Sequence, residues 1–172
     1  MAKRKDPVKK IVFVVLALFL LCSCGYQLVR EKGIYGGDIS SIYIPVFKNL
    51  TYEPNLSQYV TSVFSKELLA TGLFTINKEG SDGYLDGTIT RIAATPTSMS
   101  IQGVVIQKYV TLYVDIALRK NGGGLVKRWS FADSETYYVE NVDSEEFNKK
   151  DAIQRLSARI ARRLSAVLMT EY

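Results

Sequence analysis

The stretch from Val104 to Arg119 constrains this chain most. Val110, Leu112, Val114, Ile116 and Leu118 alternate with Tyr109, Thr111, Tyr113, Asp115 and Ala117. A period of two over this length is a half-buried β-strand, because a helix would scatter the same residues around its circumference. Asn121-Gly122-Gly123-Gly124 follows as a tight turn, and Leu125 to Thr136 reads as the return strand, with Trp129 and Phe131 on the apolar side. A hairpin with one aliphatic face has to bury that face against another layer.

The rest of the chain supplies that layer. Leu56, Tyr59, Val60, Val63, Phe64 and Leu68 fall at steps of three and four, which makes one stripe of a helix ending near Thr71. Pro54 suits its first turn, Asn55 with Gln58 has the spacing of a cap, and Gly72 stands at the expected stop. Ile153, Leu156, Ile160, Leu164 and Val167 form a second stripe to about Met169, with Asp143 and Glu146 as its capping box. Before the first helix, Ser41 to Phe47 alternates as a strand, with Ile42, Ile44 and Val46 on one side, and Pro45 removes one ladder donor. Lys48 to Thr51 then turns away. Tyr84 to Ile92 is a further strand with Leu85, Gly87 and Ile89 inward, and Thr95 to Gly103 reads as strand end and long loop. The predicted fold is α+β: two helices on one face of a roughly four-stranded sheet, in the order β-α-β-β-β-α.

The N-terminus has a different grammar. Lys3, Arg4, Lys5, Lys9 and Lys10 precede an apolar run from Ile11 to Leu21, then Cys22-Ser23-Cys24-Gly25. A basic head, a short apolar middle and small residues make an export signal, and the run is shorter than the roughly 20 residues a spanning helix needs. An ordinary signal would want a small residue where Leu21 stands, and Cys22 has bulky Leu21 directly before it. Cys24, with Leu21 three positions earlier and Ser23 adjacent, resembles the lipobox of bacterial lipoproteins. That resemblance implies diacylglycerol on the Cys24 thiol, cleavage before it and an acyl chain on the new amine. No other cofactor is expected. Gly25 is not the Asp that retains such proteins in the inner membrane. The expected layout is signal 1–23, lipidated tether 24–40 and folded domain 41–172.

Removing residues 1–23 changes the charge argument. The full chain carries 22 Lys and Arg against 17 Asp and Glu. Five of those cations, and Asp6, lie in the signal, so the remainder is almost neutral at +1. Nothing here calls for nucleic acid. The chain has no histidine, which excludes Ser-His-Asp and Cys-His catalysis and imidazole metal sites. Once Cys24 is capped no thiol is left for a disulfide.

Three features carry functional readings. The polar side of the sheet offers Tyr43, Tyr109, Thr111, Tyr113 and Asp115, in a chain with eleven tyrosines. Tyrosine is a good residue for an exposed strand face, and it is also an interface residue. Arg91, Lys108, Arg119, Lys120, Lys127 and Arg128 cluster in the hairpin region; they are either solvated edge charges or an anion-binding group. Arg155, Arg159, Arg162 and Arg163 repeat along the last helix, as a solvated face or as contact with anionic membrane. Asp82 and Asp86 are the nearest thing to a catalytic carboxylate pair, and the acids around Asp143 are better explained as a cap.

Taken in order, Cys24-Gly25-Tyr26-Gln27-Leu28, Ile42-Tyr43-Ile44-Pro45-Val46-Phe47-Lys48-Asn49-Leu50-Thr51, Pro54-Asn55-Leu56 and Asp82-Gly83-Tyr84-Leu85-Asp86-Gly87-Thr88-Ile89 resemble the LptE family of lipopolysaccharide-assembly lipoproteins. The Tyr109–Leu118 strand, the glycine turn, Trp129-Ser130-Phe131 and the basic last helix extend the resemblance over the chain after Cys24. It implies a non-catalytic outer-membrane lipoprotein facing the periplasm. Such a protein plugs the lumen of the β-barrel LptD, assists its assembly and helps insert lipopolysaccharide into the outer leaflet. Tyr43, Tyr109, Thr111 and Tyr113 are the expected barrel contacts, and Arg91, Lys108, Lys127 and Arg128 the expected lipopolysaccharide contacts. Two rival readings are a pilot lipoprotein for another outer-membrane pore and an enzyme acting on lipid or envelope polymer.

Overall fold

The structure is a computed structural model that describes Ile34, residues 38–77 and residues 80–170. Cys24 and the export signal lie outside the described residues. The domain is α+β: two helices pack on one face of a mixed sheet. The order is β1 (Ser41–Tyr43), β2 (Lys48–Asn49), α1 (Leu56–Ala70), β3 (Thr75–Ile76), β4 (Gly83–Met99), β5 (Val105–Lys120), β6 (Leu125–Tyr138) and α2 (Val142–Met169).

The predicted hairpin forms one side of the sheet, with β5 inside it and β6 at the edge. β5 pairs antiparallel with both β4 and β6, and Val110, Leu112, Val114, Ile116 and Leu118 are all buried. β4 runs on to Met99, through the stretch expected to be mostly loop, with ladder irregularities at Pro96–Ser98 and Ser98–Met99. β1 and β2 lie one after the other along the free edge of β4, both parallel to it, and β3 adds outside β1.

The expected single strand from Ser41 to Phe47 is therefore split, and its alternation fails after Ile44. Val46 is 65% exposed while Phe47 is buried. Pro45 has no N–H to give, and the Phe47 N–H donates to Thr61 Oγ1 of α1 at 2.9 Å instead of to a strand. Lys48 and Asn49, expected to turn away, rejoin β4 opposite Thr88 and Ile89. The turn comes after them, where Asn49 Oδ1 accepts from the Thr51 N–H at 2.9 Å. Gly87 is the residue that lets Phe47 in: a Cβ there would sit 2.4 Å from the Phe47 ring.

Both helices fall where their stripes place them, but neither cap is the expected one. Asn55 takes the N-cap position of α1 in a left-handed conformation, φ 57°, and its side chain makes no capping bond. α2 is capped by Asn141, whose side chain accepts from the Ser144 N–H at 2.8 Å while the Ser144 hydroxyl accepts from the Asn141 N–H at 3.0 Å. Gly72 ends α1 with φ 67°, as its position suggests. Leu56, Val60, Phe64 and Leu68 of α1 meet Ile153, Leu156, Ile160, Leu164 and Leu168 of α2 in one apolar core with the inner faces of β4 and β5. Val167 is only half-buried, and Leu168 takes the inward place.

The folded unit begins before Ser41. Ile34 and Ile39, placed by sequence in the tether, are both completely buried and form an isolated antiparallel bridge with each other. One carboxylate oxygen of Asp82 accepts from the backbone N–H and the hydroxyl of both Ser40 and Ser41 at 2.8–3.0 Å. Those bonds, the Ser41 hydroxyl foremost, hold the Asp82 carboxyl at about 2, well below its ordinary value. Lys120 pairs with Asp38 at 2.9 Å. The chain is thus fixed to the Gly83 and Lys120 end of the sheet.

Candidate functional site

The sheet has two chemically different faces. The strand period that sends Val110, Leu112 and Val114 under the helices sends Tyr109, Thr111 and Tyr113 to the opposite side. Cross-strand register extends this second face. Ser130, Ala132, Ser134 and Thr136 of β6 lie opposite Asp115, Tyr113, Thr111 and Tyr109, and Thr95, Ala93, Arg91 and Thr88 of β4 lie on the other flank. Tyr43 and Tyr84 complete it toward β1, stacked edge to face with ring centroids 5.9 Å apart. The face carries tyrosines, hydroxyls and short side chains together with Arg91, Asp115 and Arg128, and Leu125 stands at its margin opposite Arg119. Tyr109, Thr111 and Tyr113 with Ser134, Glu135 and Thr136 line a shallow open groove, and the Thr111 and Ser134 hydroxyls are 2.7 Å apart. All four residues expected to contact a barrel sit on this face.

The four expected anion contacts do not come together. Arg91 is on the open face because a bulge at Thr90 re-phases β4, and its guanidinium lies 5.6 Å from the centre of the Tyr113 ring. Arg128 is exposed on the same face opposite Ala117. Two strands and four residues separate the two arginines, on the order of 15 Å by strand geometry. Lys108 and Lys127 share the inward parity of Val110 and Trp129. Lys108 ends 2.6 Å from Glu145 of α2, which also faces the Tyr137 hydroxyl; burial, then the Glu145 charge, pushes that phenol up to about 12. Lys127 lies 5.9 Å from the centre of the Trp129 ring. Arg119 and Lys120 each hold a carboxylate, Asp86 and Asp38, so the hairpin cations form no free cluster. Asp82 and Asp86 are likewise engaged separately, by the two serines and by Arg119.

The arginine row of α2 is tied to acids of β6 and α1 rather than left as a bare solvated face. Arg159 bridges Asp133 and Glu135 of β6 at 2.6 and 2.8 Å and donates to the Ser134 carbonyl. Arg155 reaches Glu135 and Asp151, Arg162 reaches Glu67 of α1, and Arg163 covers Phe131. For Asp133, partial burial pushes the carboxyl up, but the Arg159 bond, the Ser134 N–H and the arginine charges outweigh it and leave it lowered. Glu135 is lowered mainly by its bond from Arg159. Arg159 is in turn held more firmly protonated by the two acids. The signal for this was in the sequence: Asp133 and Glu135 share the parity of Trp129 and Phe131, so they had to face the helix. Among the described residues, no group of three or more His, Cys, Asp or Glu could hold a metal, and no helix is long and apolar enough to cross a membrane.

A family model described as LptE, lipopolysaccharide-assembly, matches residues 39–167. The chain belongs to the LptE family. Its role is accordingly in lipopolysaccharide assembly. Solved structures agree on the fold, which is all that their low identity shows. Rare lipoprotein B from Shewanella oneidensis matches at 14% identity and a TM-score of 0.50, over 75% of this chain and 96% of that one. A Xanthomonas campestris protein matches at 9% identity and 0.55, over 77% and 86%. A candidate lipoprotein from Caulobacter crescentus CB15 matches at 15% and 0.52, over 73% and 89%. No curated protein sequence gives a significant match.

Proposed function

We propose that this LptE-family domain is held at the outer membrane by lipid on Cys24 and plugs a β-barrel of LptD type, with the open sheet face against the barrel wall. The observation that carries this is the chemistry of that face. Tyr43, Tyr84, Tyr109, Thr111 and Tyr113 line this face half-buried, with Arg91 over the Tyr113 ring and the Ser134 hydroxyl against Thr111. A barrel lumen is lined by polar side chains, and tyrosines with hydroxyls are what such a wall can pair with. The role is binding and positioning rather than catalysis.

Of the four cations expected to meet lipopolysaccharide, Arg91 and Arg128 fit best. Both are exposed, both lie on the open face, and neither has a carboxylate within ion-pairing distance among the described residues. A guanidinium without an acid partner is free to bind phosphate through paired N–H donors. Lys108 already holds Glu145, and Lys127 belongs to the helix side.

Recovery of the tagged full chain from membranes in mild detergent tests the reading. It expects a large outer-membrane β-barrel in stoichiometric amount. Recovery with a secretin, or with no barrel, contradicts it and returns the pilot reading. Arg91→Ala with Arg128→Ala is expected to cut lipopolysaccharide capture about tenfold, the effect of losing two charge-assisted contacts. Lys108→Ala is expected to leave capture unchanged.

A further inference from the structure

The longest uncharged segment after the export signal is not in the core. From Ile92 to Gln107 there is no Asp, Glu, Lys or Arg, in a protein where such residues make up 23%. This segment is the far half of β4, the turn, and the start of β5. At its tip Met99 is 59% exposed, Ile101 103%, Val104 61% and Ile106 42%. Tyr138, Val142 and Phe147, at the β6–α2 junction beside it, are exposed as well; the Val139 N–H donates to the Ile106 carbonyl at 3.0 Å and ties that junction to the hairpin. The tip turn closes on itself: the Ser100 N–H donates to the Val104 carbonyl at 2.7 Å, and the Gly103 N–H to the Ser100 carbonyl at 2.9 Å. Charge resumes at the base, at Lys108, which pairs with Glu145, and at Arg91, which lies over the Tyr113 ring.

We propose that this hairpin tip inserts into the acyl-chain layer of a lipid bilayer. Three observations choose lipid over a protein groove. The exposed tip side chains are aliphatic and thioether, whereas residues that anchor protein partners are mainly Trp, Tyr and Arg. Sixteen uncharged residues offer no ionic register to a partner, and a hydrocarbon layer asks for none. The turn pairs the Ser100 and Gly103 N–H groups internally, as an apolar medium requires. The tip lies at the opposite end of β4 from Gly83, where β1 joins the sheet, roughly 50 Å away by strand rise. This inference concerns a different surface from the open face, and a tip enclosed by the barrel wall is the outcome that sets it against the barrel reading.

Tryptophan fluorescence tests it in the full chain, reconstituted into vesicles of phosphatidylethanolamine and phosphatidylglycerol. Trp129, the only tryptophan, is replaced by Phe; its indole N–H has no partner to lose. Ile101→Trp then reports on the tip, and Lys66→Trp on the exposed side of α1. The expected result is blue-shifted emission from position 101, quenched by brominated acyl chains about threefold more than position 66, with both effects lost when Val104→Asp is added. Water-like emission at 101, or equal lipid quenching at the two positions, overturns the proposal. So does burial of 101 that appears only on adding the copurifying barrel, or only on raising protein concentration without lipid, since those outcomes assign the tip to a protein wall or to a second copy.

Discussion

The two faces of one sheet obey different rules. On the helix side, aliphatic residues at every second position are fully buried, and the charges at its margins are paired: Arg159 with Asp133 and Glu135, Lys108 with Glu145, Lys149 with Glu53. On the open side there are tyrosines and hydroxyls, and Arg91 and Arg128 have no acid partner among the described residues. The same strands supply both faces, so the difference cannot come from backbone preference. One face is built to hold the fold together and the other is left for a partner. Substitutions on the first face should therefore move stability and leave binding alone, and substitutions on the second should do the reverse.

The largest expected effect is in the core of the helix face. Leu112→Ala should lower unfolding free energy by about 3 kcal/mol, read from urea melts, through lost burial and the cavity left behind. Gly87→Ala should cost about 2 kcal/mol by pressing a methyl into the Phe47 ring. If either change is neutral, the helix face is not the stabilising one. Arg159→Ala comes next, at about 1 kcal/mol, because the pairs it breaks are partly solvated. The loss should be confined to pH above the carboxylate range. Glu135 and Asp133 have lowered folded pKa values, so their stabilisation is present at neutral pH and disappears as pH falls through those values. The smallest effect is that of Asp82→Asn. It should flatten acid unfolding between pH 3.8 and about 2, the interval over which Asp82 is ionised in the folded chain and protonated in the unfolded one. A wild-type acid limb unchanged by this substitution would remove Asp82 as the latch on Ser40 and Ser41.

Much of the helix face was legible in the sequence because burial repeats with the period of the element. Five alternating residues located β5, and two stripes located α1 and α2. What could not be read depended on contacts between distant segments. Phe47 is buried because Thr61, on a helix, takes its N–H and Gly87, on another strand, makes room. Ile34 and Ile39 sit among glycines and charges and look like a spacer until Asp82 is seen to bind the serines next to them. The open face was legible as a row of tyrosines. The cations expected there divide between the two faces, with Lys108 and Lys127 carrying the inward parity of their neighbours. Arg91 could not be sorted by parity at all, since the bulge at Thr90 shifts it.

The division of labour is tested most directly by replacing Tyr109 and Tyr113 together with Ser and measuring two things on one preparation. The first is the amount of outer-membrane β-barrel that copurifies with the tagged full chain; the second is its thermal midpoint. The account predicts at least about a tenfold drop in recovered barrel, as for the loss of two interface aromatics, with the midpoint within a few degrees of the parent. Undiminished barrel recovery, or a loss of barrel matched by a collapse of the midpoint, would contradict it.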